Sequence, residues 1–115
     1  MARYTCSYRV KVDLEKLQPL MIETLQACHF EVIYQAVDYI MAREFLGQIG
    51  FSKLVTVEVL IDSTTAINDE VQVNLVVKND ELPLQLNNRC RQQFALIQQA
   101  IAENPQWKLI ENVTS

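Results

Sequence analysis

The chain has 115 residues, of which 50% are hydrophobic and 21% are charged, and its formal net charge is −4. This size predicts one domain over residues 1–115, with a core large enough to fold without disulfides or a metal. Ten basic residues against fourteen acidic ones disfavour nucleic acid and anionic membranes, because binding to both depends on Lys and Arg. The apolar stretches are also too short for membrane insertion.

The first two elements are a strand and a helix. Residues 4–12 alternate between apolar and polar side chains, which predicts a half-buried strand. Asp13 follows as a helix N-cap, and apolar residues then recur every three or four positions as far as Cys28. Because Pro19 would remove a hydrogen bond from the helix interior, we expect an irregular first turn and a regular helix beginning near Gln18.

Four further strands follow in two pairs. Residues 30–35 and 39–44 predict two strands joined by a tight turn at 36–38. Two stretches rich in β-branched residues, 55–62 and 71–78, predict the next two strands, joined by a hairpin loop.

A second helix is predicted over residues 83–103, where apolar residues recur at helical spacing. Asn104-Pro105 ends it, because proline disfavours a helical residue before it. Trp107 and the aliphatic residues after it are expected to pack as a short tail.

The resulting order β-α-β-β-β-β-α predicts an α+β fold, an antiparallel five-stranded sheet with two helices packed on one face. With the strands in the spatial order 1-5-4-3-2, the apolar rows face the helices. The opposite rows then face solvent, so we expect one open face of the sheet.

The order of elements resembles TATA-binding-protein-like domains and small START-like helix-grip domains, in which a curved antiparallel sheet is backed by helices. The resemblance implies a fold and no activity. DNA binding is not carried over, because Glu58, Gln72 and Asn74 share the expected open face of an acidic chain.

The stretches 38–44, 54–62 and 76–80 resemble small uncharacterised proteins of cyanobacteria, which implies a photosynthetic prokaryote and a cytosolic setting. The three cysteines have no paired spacing, which is typical of reduced thiols in a reducing compartment. We therefore expect a cytoplasmic protein.

No motif predicts a catalytic site, and we expect a non-enzyme without a cofactor or metal. His29, the sole histidine, is expected at the exposed end of the first helix. Cys6, Cys28 and Cys90 fall on the apolar rows of separate elements, where free cysteine behaves as a small hydrophobe. The alternative for these four residues is a zinc site, although zinc ligands usually come in closely spaced pairs.

The open face is the candidate site for a partner. Aliphatic residues interrupt its polar rows, and Leu60 and Val76 are expected side by side on neighbouring strands. Such a band, framed by polar groups, is typical of a protein contact, although scattered exposed aliphatic residues are also ordinary. The candidate partner-binding residues are Arg9, Ile33, Glu58, Leu60, Gln72, Asn74 and Val76.

Two functions are compatible with these patterns. The first is a non-catalytic binding module that holds a protein partner or a second copy of itself, through the open face or the polar side of the last helix. The alternative is a carrier of a small apolar ligand, in a pocket between sheet and helices lined by Tyr8, Phe30, Tyr34 and Phe94. A drug-sized ligand needs about 300 Å³ or more, and a chain this short has little apolar material to line such a pocket.

Overall fold

The fold was analysed in a computed structural model, which describes residues 2–45, 54–67, 69–80 and 88–114, with the backbone alone for 63–67 and 114. Two helices lie against an antiparallel sheet, which confirms the α+β prediction. The described part of the sheet has six strands, so the predicted number of five is wrong. The elements in chain order are β1 (Ala2–Lys11), α1 (Leu14–Ala27), β2 (Phe30–Ala36), β3 (Tyr39–Glu44), β4 (Thr56–Ile67), β5 (Glu70–Asn79), α2 (Arg89–Glu103) and β6 (Lys108–Thr114).

The strands are arranged in the order β2-β3-β4-β5-β1-β6, and every neighbouring pair is antiparallel. The predicted order of the first five strands is therefore confirmed. The expected tail after α2 is instead a sixth strand, which pairs with β1 and forms an edge of the sheet. The hairpin between β4 and β5 is also tighter than predicted, because β4 extends to Ile67 and β5 begins at Glu70.

The core lies between the helices and one face of the sheet. Val57, Val59, Val71 and Val73 each expose 1% or less of their surface, as their alternation predicts. Burial of one such side chain stabilises the fold by about 1.5–3 kcal/mol, so these rows fix which face of the sheet is covered. The helices contribute Leu17, Met21, Leu25, Cys90, Phe94, Ile97 and Ile101 to the same core.

Helix α1 begins four residues earlier than predicted. The side chain of Asp13 accepts a hydrogen bond from the Glu15 amide at 3.1 Å, which caps the first turn. Pro19 has no amide hydrogen, so the helical hydrogen bond to the Glu15 carbonyl is missing. Glu15 is exposed, and water can bind that carbonyl oxygen instead. The expectation of an irregular first turn is therefore wrong.

Helix α2 begins at Arg89, because Asn88 has an extended backbone and acts as its N-cap. The Asn88 side chain accepts a hydrogen bond from the Arg91 amide at 3.1 Å and donates one to the Tyr4 hydroxyl at 2.9 Å. The earlier part of the predicted helix, residues 83–87, lies outside the described residues. Neither described helix is long and apolar enough to cross a membrane.

A β-bulge in β2 changes the face on which its second half lies. Val32 pairs with Ala42 and Tyr34 pairs with Met41, so Ile33 is an extra residue without a partner on β3. Tyr34 therefore lies on the face of Met41, whereas uninterrupted alternation from Val32 would place it in the core.

A second bulge lies in β6. Leu109 pairs with Val10 and Glu111 pairs with Arg9, which leaves Ile110 as the extra residue. The bulge explains why the strand was not predicted, since its apolar residues do not alternate with period two.

Candidate partner-binding surface

The side of the sheet that faces away from the helices is called the open face. Side chains that pair directly across antiparallel strands share a face, so the strand registers define its rows. One row contains Tyr34, Met41, Glu58, Val76 and Thr5, and the next contains Ala36, Tyr39, Leu60, Asn74, Ser7 and Val113.

Four residues of β2, β3 and β4 form an apolar area on this face, which we call the aromatic corner: Tyr34, Tyr39, Met41 and Leu60. The rings of Tyr34 and Tyr39 are 5.9 Å apart between centroids and tilted by 59°. Leu60 is directly opposite Tyr39 and is 40% exposed, while Tyr34 is 58% exposed. Helices α1 and α2 lie on the other side of the sheet, so neither helix covers this area.

Charged groups border the aromatic corner. Glu58 forms an ion pair of 2.9 Å with Lys78 on the neighbouring strand. Partial burial raises the pKa of Tyr39, and the nearby charge and hydrogen bond of Glu58 raise it further. The phenol of Tyr39 is therefore neutral at ordinary pH, with its hydroxyl hydrogen-bonded to Glu58 and its ring available to a partner.

The other half of the open face is polar. The Ser7 hydroxyl donates to Asn74 Oδ1 at 2.7 Å, and the Gln72 amide donates to the same oxygen at 3.4 Å. Arg9 lies in the next row, between Gln72 and Glu111. Ser7, Arg9, Gln72 and Glu111 border a depression of about 150 Å³, which is too small for a drug-sized ligand.

The structure brings most of the predicted site residues onto the open face but changes their arrangement. Val76 is opposite Glu58, and Leu60 is opposite Asn74, so Leu60 and Val76 are diagonal neighbours on the same face and are not directly opposite each other. Val76 is also buried, with 8% of its surface exposed. Ile33 is exposed but lies at the bulge and has no place in the paired rows.

Tyr34, Tyr39 and Met41 of the aromatic corner were not among the predicted partner-binding residues. Tyr39 and Met41 alternate with the buried residues Ile40 and Ala42, and this period-two signal could have placed them on the open face. Tyr34 carried no comparable signal, because its face depends on the bulge before it.

The ligand-carrier hypothesis predicted a pocket between sheet and helices. Tyr8 and Phe30 are fully buried in the core there, and Phe94 is stacked on Tyr4 at 5.5 Å between ring centroids. Tyr34 lies on the opposite face, so its assignment to the pocket is wrong. A groove of about 300 Å³ lies along the outer side of the two helices, not between them and the sheet.

The three cysteines occupy the core, as their positions on apolar rows predict. Burial raises the pKa of both Cys6 and Cys28. His29 is exposed immediately after α1, as predicted, and has a left-handed backbone with φ 68°. Among the described residues, no group of three or more His, Cys, Asp or Glu is placed to hold a metal ion.

The polar side of α2 is partly engaged within the molecule. Arg89 forms an ion pair with the buried carboxylate of Glu44, and Gln99 donates a hydrogen bond to Glu103 at 3.1 Å. Arg91, Gln92 and Gln99 of α2 are nevertheless exposed, so both surfaces proposed from the sequence are accessible.

Comparison with known proteins gave no match, either to a family model or to a curated protein sequence.

Proposed function

We propose that this protein is a non-catalytic binding module, and that the aromatic corner of its open sheet face holds a protein partner. The observation that carries the proposal is the exposure of Tyr34 and Leu60 beside Tyr39 and Met41 on a face that α1 and α2 leave uncovered. Tyrosine is enriched among the residues that dominate binding energy in protein contacts. Exposed apolar patches with a polar rim are typical of such contacts.

Acidic and basic residues together border the aromatic corner and supply a polar rim. Glu31, Arg43, Lys78 and Arg3 belong to one row of the open face, next to the row of Met41, and Glu31 is directly opposite Arg43. Arg3 is directly opposite Lys78, an arrangement that destabilises a sheet because the charges are alike. The Glu58–Lys78 ion pair offsets part of that repulsion within the molecule.

The open face carries Ser7, Tyr39, Glu58 and Lys78, but the Ser7 hydroxyl donates to Asn74 and Glu58 forms an ion pair with Lys78. The sole histidine of the chain lies at the end of α1, and the three cysteines are buried in the core. Glu58, the acid nearest the aromatic corner, is engaged by Lys78. This distribution supports binding in preference to catalysis.

The proposal is tested by removing the apolar character of the aromatic corner. The double variant Tyr34→Ser/Leu60→Ser is compared with wild type and with Leu96→Ser, a matched control on α2 that is 43% exposed. Each protein is immobilised and exposed to an extract of cells that produce it, and retained proteins are quantified by mass spectrometry. A partner is expected to be retained by wild type and by the control, and to be lost from the double variant.

Hydrogen exchange then locates the contact. The purified partner is expected to slow exchange in β3 and β4 and to leave α2 unchanged. Equal retention by all three proteins, or protection confined to the helices, would contradict the proposal.

A reducing compartment, the cytoplasm, is part of the same proposal, supported by three buried free thiols. The resemblance to cyanobacterial proteins stays a prediction, as does the carrier alternative.

A further inference from the structure

Strand β6 is an edge of the sheet with exposed apolar side chains. It pairs with β1 on one side, and in the described part of the chain no strand pairs with its other side. Ile110 is 43% exposed and Val113 is 51% exposed. An edge of this kind presents unpaired backbone groups that can pair with another strand.

The bulge at Ile110 places two opposite charges on one face of β6. Lys108 is opposite Lys11, and Glu111 is opposite Arg9, so both lie on the open face. In a regular strand, residues three positions apart would point to opposite faces. Lys108 and Lys11 are like charges in direct opposition, which is unfavourable and is offset only on the far side of Lys11, where Glu70 is its partner on β5.

We propose that β6 is the contact surface for a second copy of this chain, with the two β6 strands paired antiparallel about a twofold axis. In the proposed register Lys108 of one copy is opposite Glu111 of the other, and symmetry produces this pair twice. The register leaves Leu109 opposite Ile110 and brings a carboxylate close to the Lys11–Lys108 repulsion. The result is one continuous sheet of two copies.

Charge complementarity favours β6 over the other edge strand. An edge lysine and a bulge normally discourage pairing, but here the lysine meets the glutamate of the second copy. In β2 the single charged residue is Glu31, so a twofold pairing there offers no opposite charge. The Gln18 side chain also donates to the Ala36 carbonyl at the end of β2.

The contact is small, because in this register only residues 108–111 of β6 pair with the second copy, while 112–114 lie opposite 105–107, which precede the strand. We therefore expect a weak dimer, with a dissociation constant between roughly 1 µM and 1 mM. This inference goes beyond the proposed function, since it uses the sheet edge and leaves the aromatic corner of both copies exposed.

The test is sedimentation velocity of the full chain from about 1 µM to about 1 mM. Wild type is expected to shift from monomer to dimer, and Lys108→Glu and Glu111→Lys are each expected to weaken association at least about tenfold. An equimolar mixture of these two variants is expected to associate again, because each strand then carries one sign of charge. The double variant Lys108→Glu/Glu111→Lys is expected to restore the homodimer.

Lys108→Glu separates loss of contact from loss of folding. The substitution places opposite charges at the Lys11 pair, so its thermal midpoint is expected to equal or exceed that of wild type while its association falls. Tyr34→Ser/Leu60→Ser is expected to dimerise like wild type, which distinguishes this inference from the proposed function.

The inference is overturned by a wild type that stays monomeric over the whole range, or by single variants that dimerise as strongly as wild type. Failure of the variant mixture and of the double variant to associate also overturns it.

Discussion

Removing the cation at the buried Glu44–Arg89 pair is expected to destabilise the fold strongly. The Glu44 carboxylate accepts a hydrogen bond from the Val55 amide at 3.1 Å and is held by the Arg89 guanidinium, with Nε at 3.0 and 3.1 Å from its two oxygens. The Glu44 side chain is 6% exposed and that of Arg89 is 30% exposed. The pair therefore joins the end of β3 and the residue before β4 to the first turn of α2.

The substitution Arg89→Met leaves the Glu44 carboxylate buried without its cation. Loss of one partner of a fully buried pair costs about 3–5 kcal/mol. Because Arg89 is partly solvated in the fold, we expect about 2–3 kcal/mol. Unfolding entropy of about 2.1 cal/mol/K per residue converts this loss to a decrease of about 10 °C in Tm.

Urea unfolding at 25 °C and calorimetry measure the effect, with Arg91→Met as the control. Arg91 is exposed on the same helix, and its replacement is expected to change stability by less than about 0.5 kcal/mol. Adding Glu44→Gln to Arg89→Met is expected to recover at least about 1 kcal/mol, because it removes the buried charge and keeps an acceptor for the Val55 amide. The reasoning is refuted if Arg89→Met costs no more than the control, or if the second substitution recovers nothing.

Three other predictions concern pH, backbone strain and thiol access. Burial raises the pKa of Tyr8 above its ordinary value of 10.0. The protonated phenol therefore contributes fully to the free energy of unfolding below pH 10, and this contribution is lost as the pH rises above 10, because the unfolded chain ionises first. Above pH 10, the free energy of unfolding measured with urea should fall by up to about 1.4 kcal/mol per pH unit, and the fall should be smaller in Tyr8→Phe. An equal fall in both proteins contradicts this assignment. His29 has φ 68°, so His29→Gly should stabilise by up to about 1 kcal/mol and His29→Val should destabilise, whereas equal stabilities would argue against strain. The folded protein should react slowly with a thiol reagent, because Cys6, Cys28 and Cys90 are buried. Rapid reaction of all three thiols in the folded protein would contradict their burial in the core.

The sequence was most informative where alternation is uninterrupted. The buried valines of β4 and β5 occupy every second position, so their face and the pairing of the two strands could be predicted. The helical stripes of α1 and α2 were equally clear, because a period near 3.6 distinguishes them from strands. The face of the sheet that the helices leave open could therefore be predicted from these elements alone.

Both main errors arose at β-bulges. A bulge adds one residue and reverses the face of everything after it, and neither Ile33 nor Ile110 is a residue type that marks one. Tyr34 was therefore assigned to the core side, and β6 was not recognised as a strand. The helix starts were misjudged for another reason: the cap at Asp13 outweighs the missing bond at Pro19, and Asn88 is a cap that the apolar stripe does not reveal.

Trp107 gives the molecule a built-in optical reporter. Its indole Nε1 donates to the Ile101 carbonyl at 2.9 Å, and the ring is buried just before β6 begins. Since the chain has a single tryptophan, its fluorescence arises at the junction of α2 and β6. Detachment of the last strand from the sheet would wet the indole and shift emission to longer wavelength, so this local opening can be followed without an attached dye.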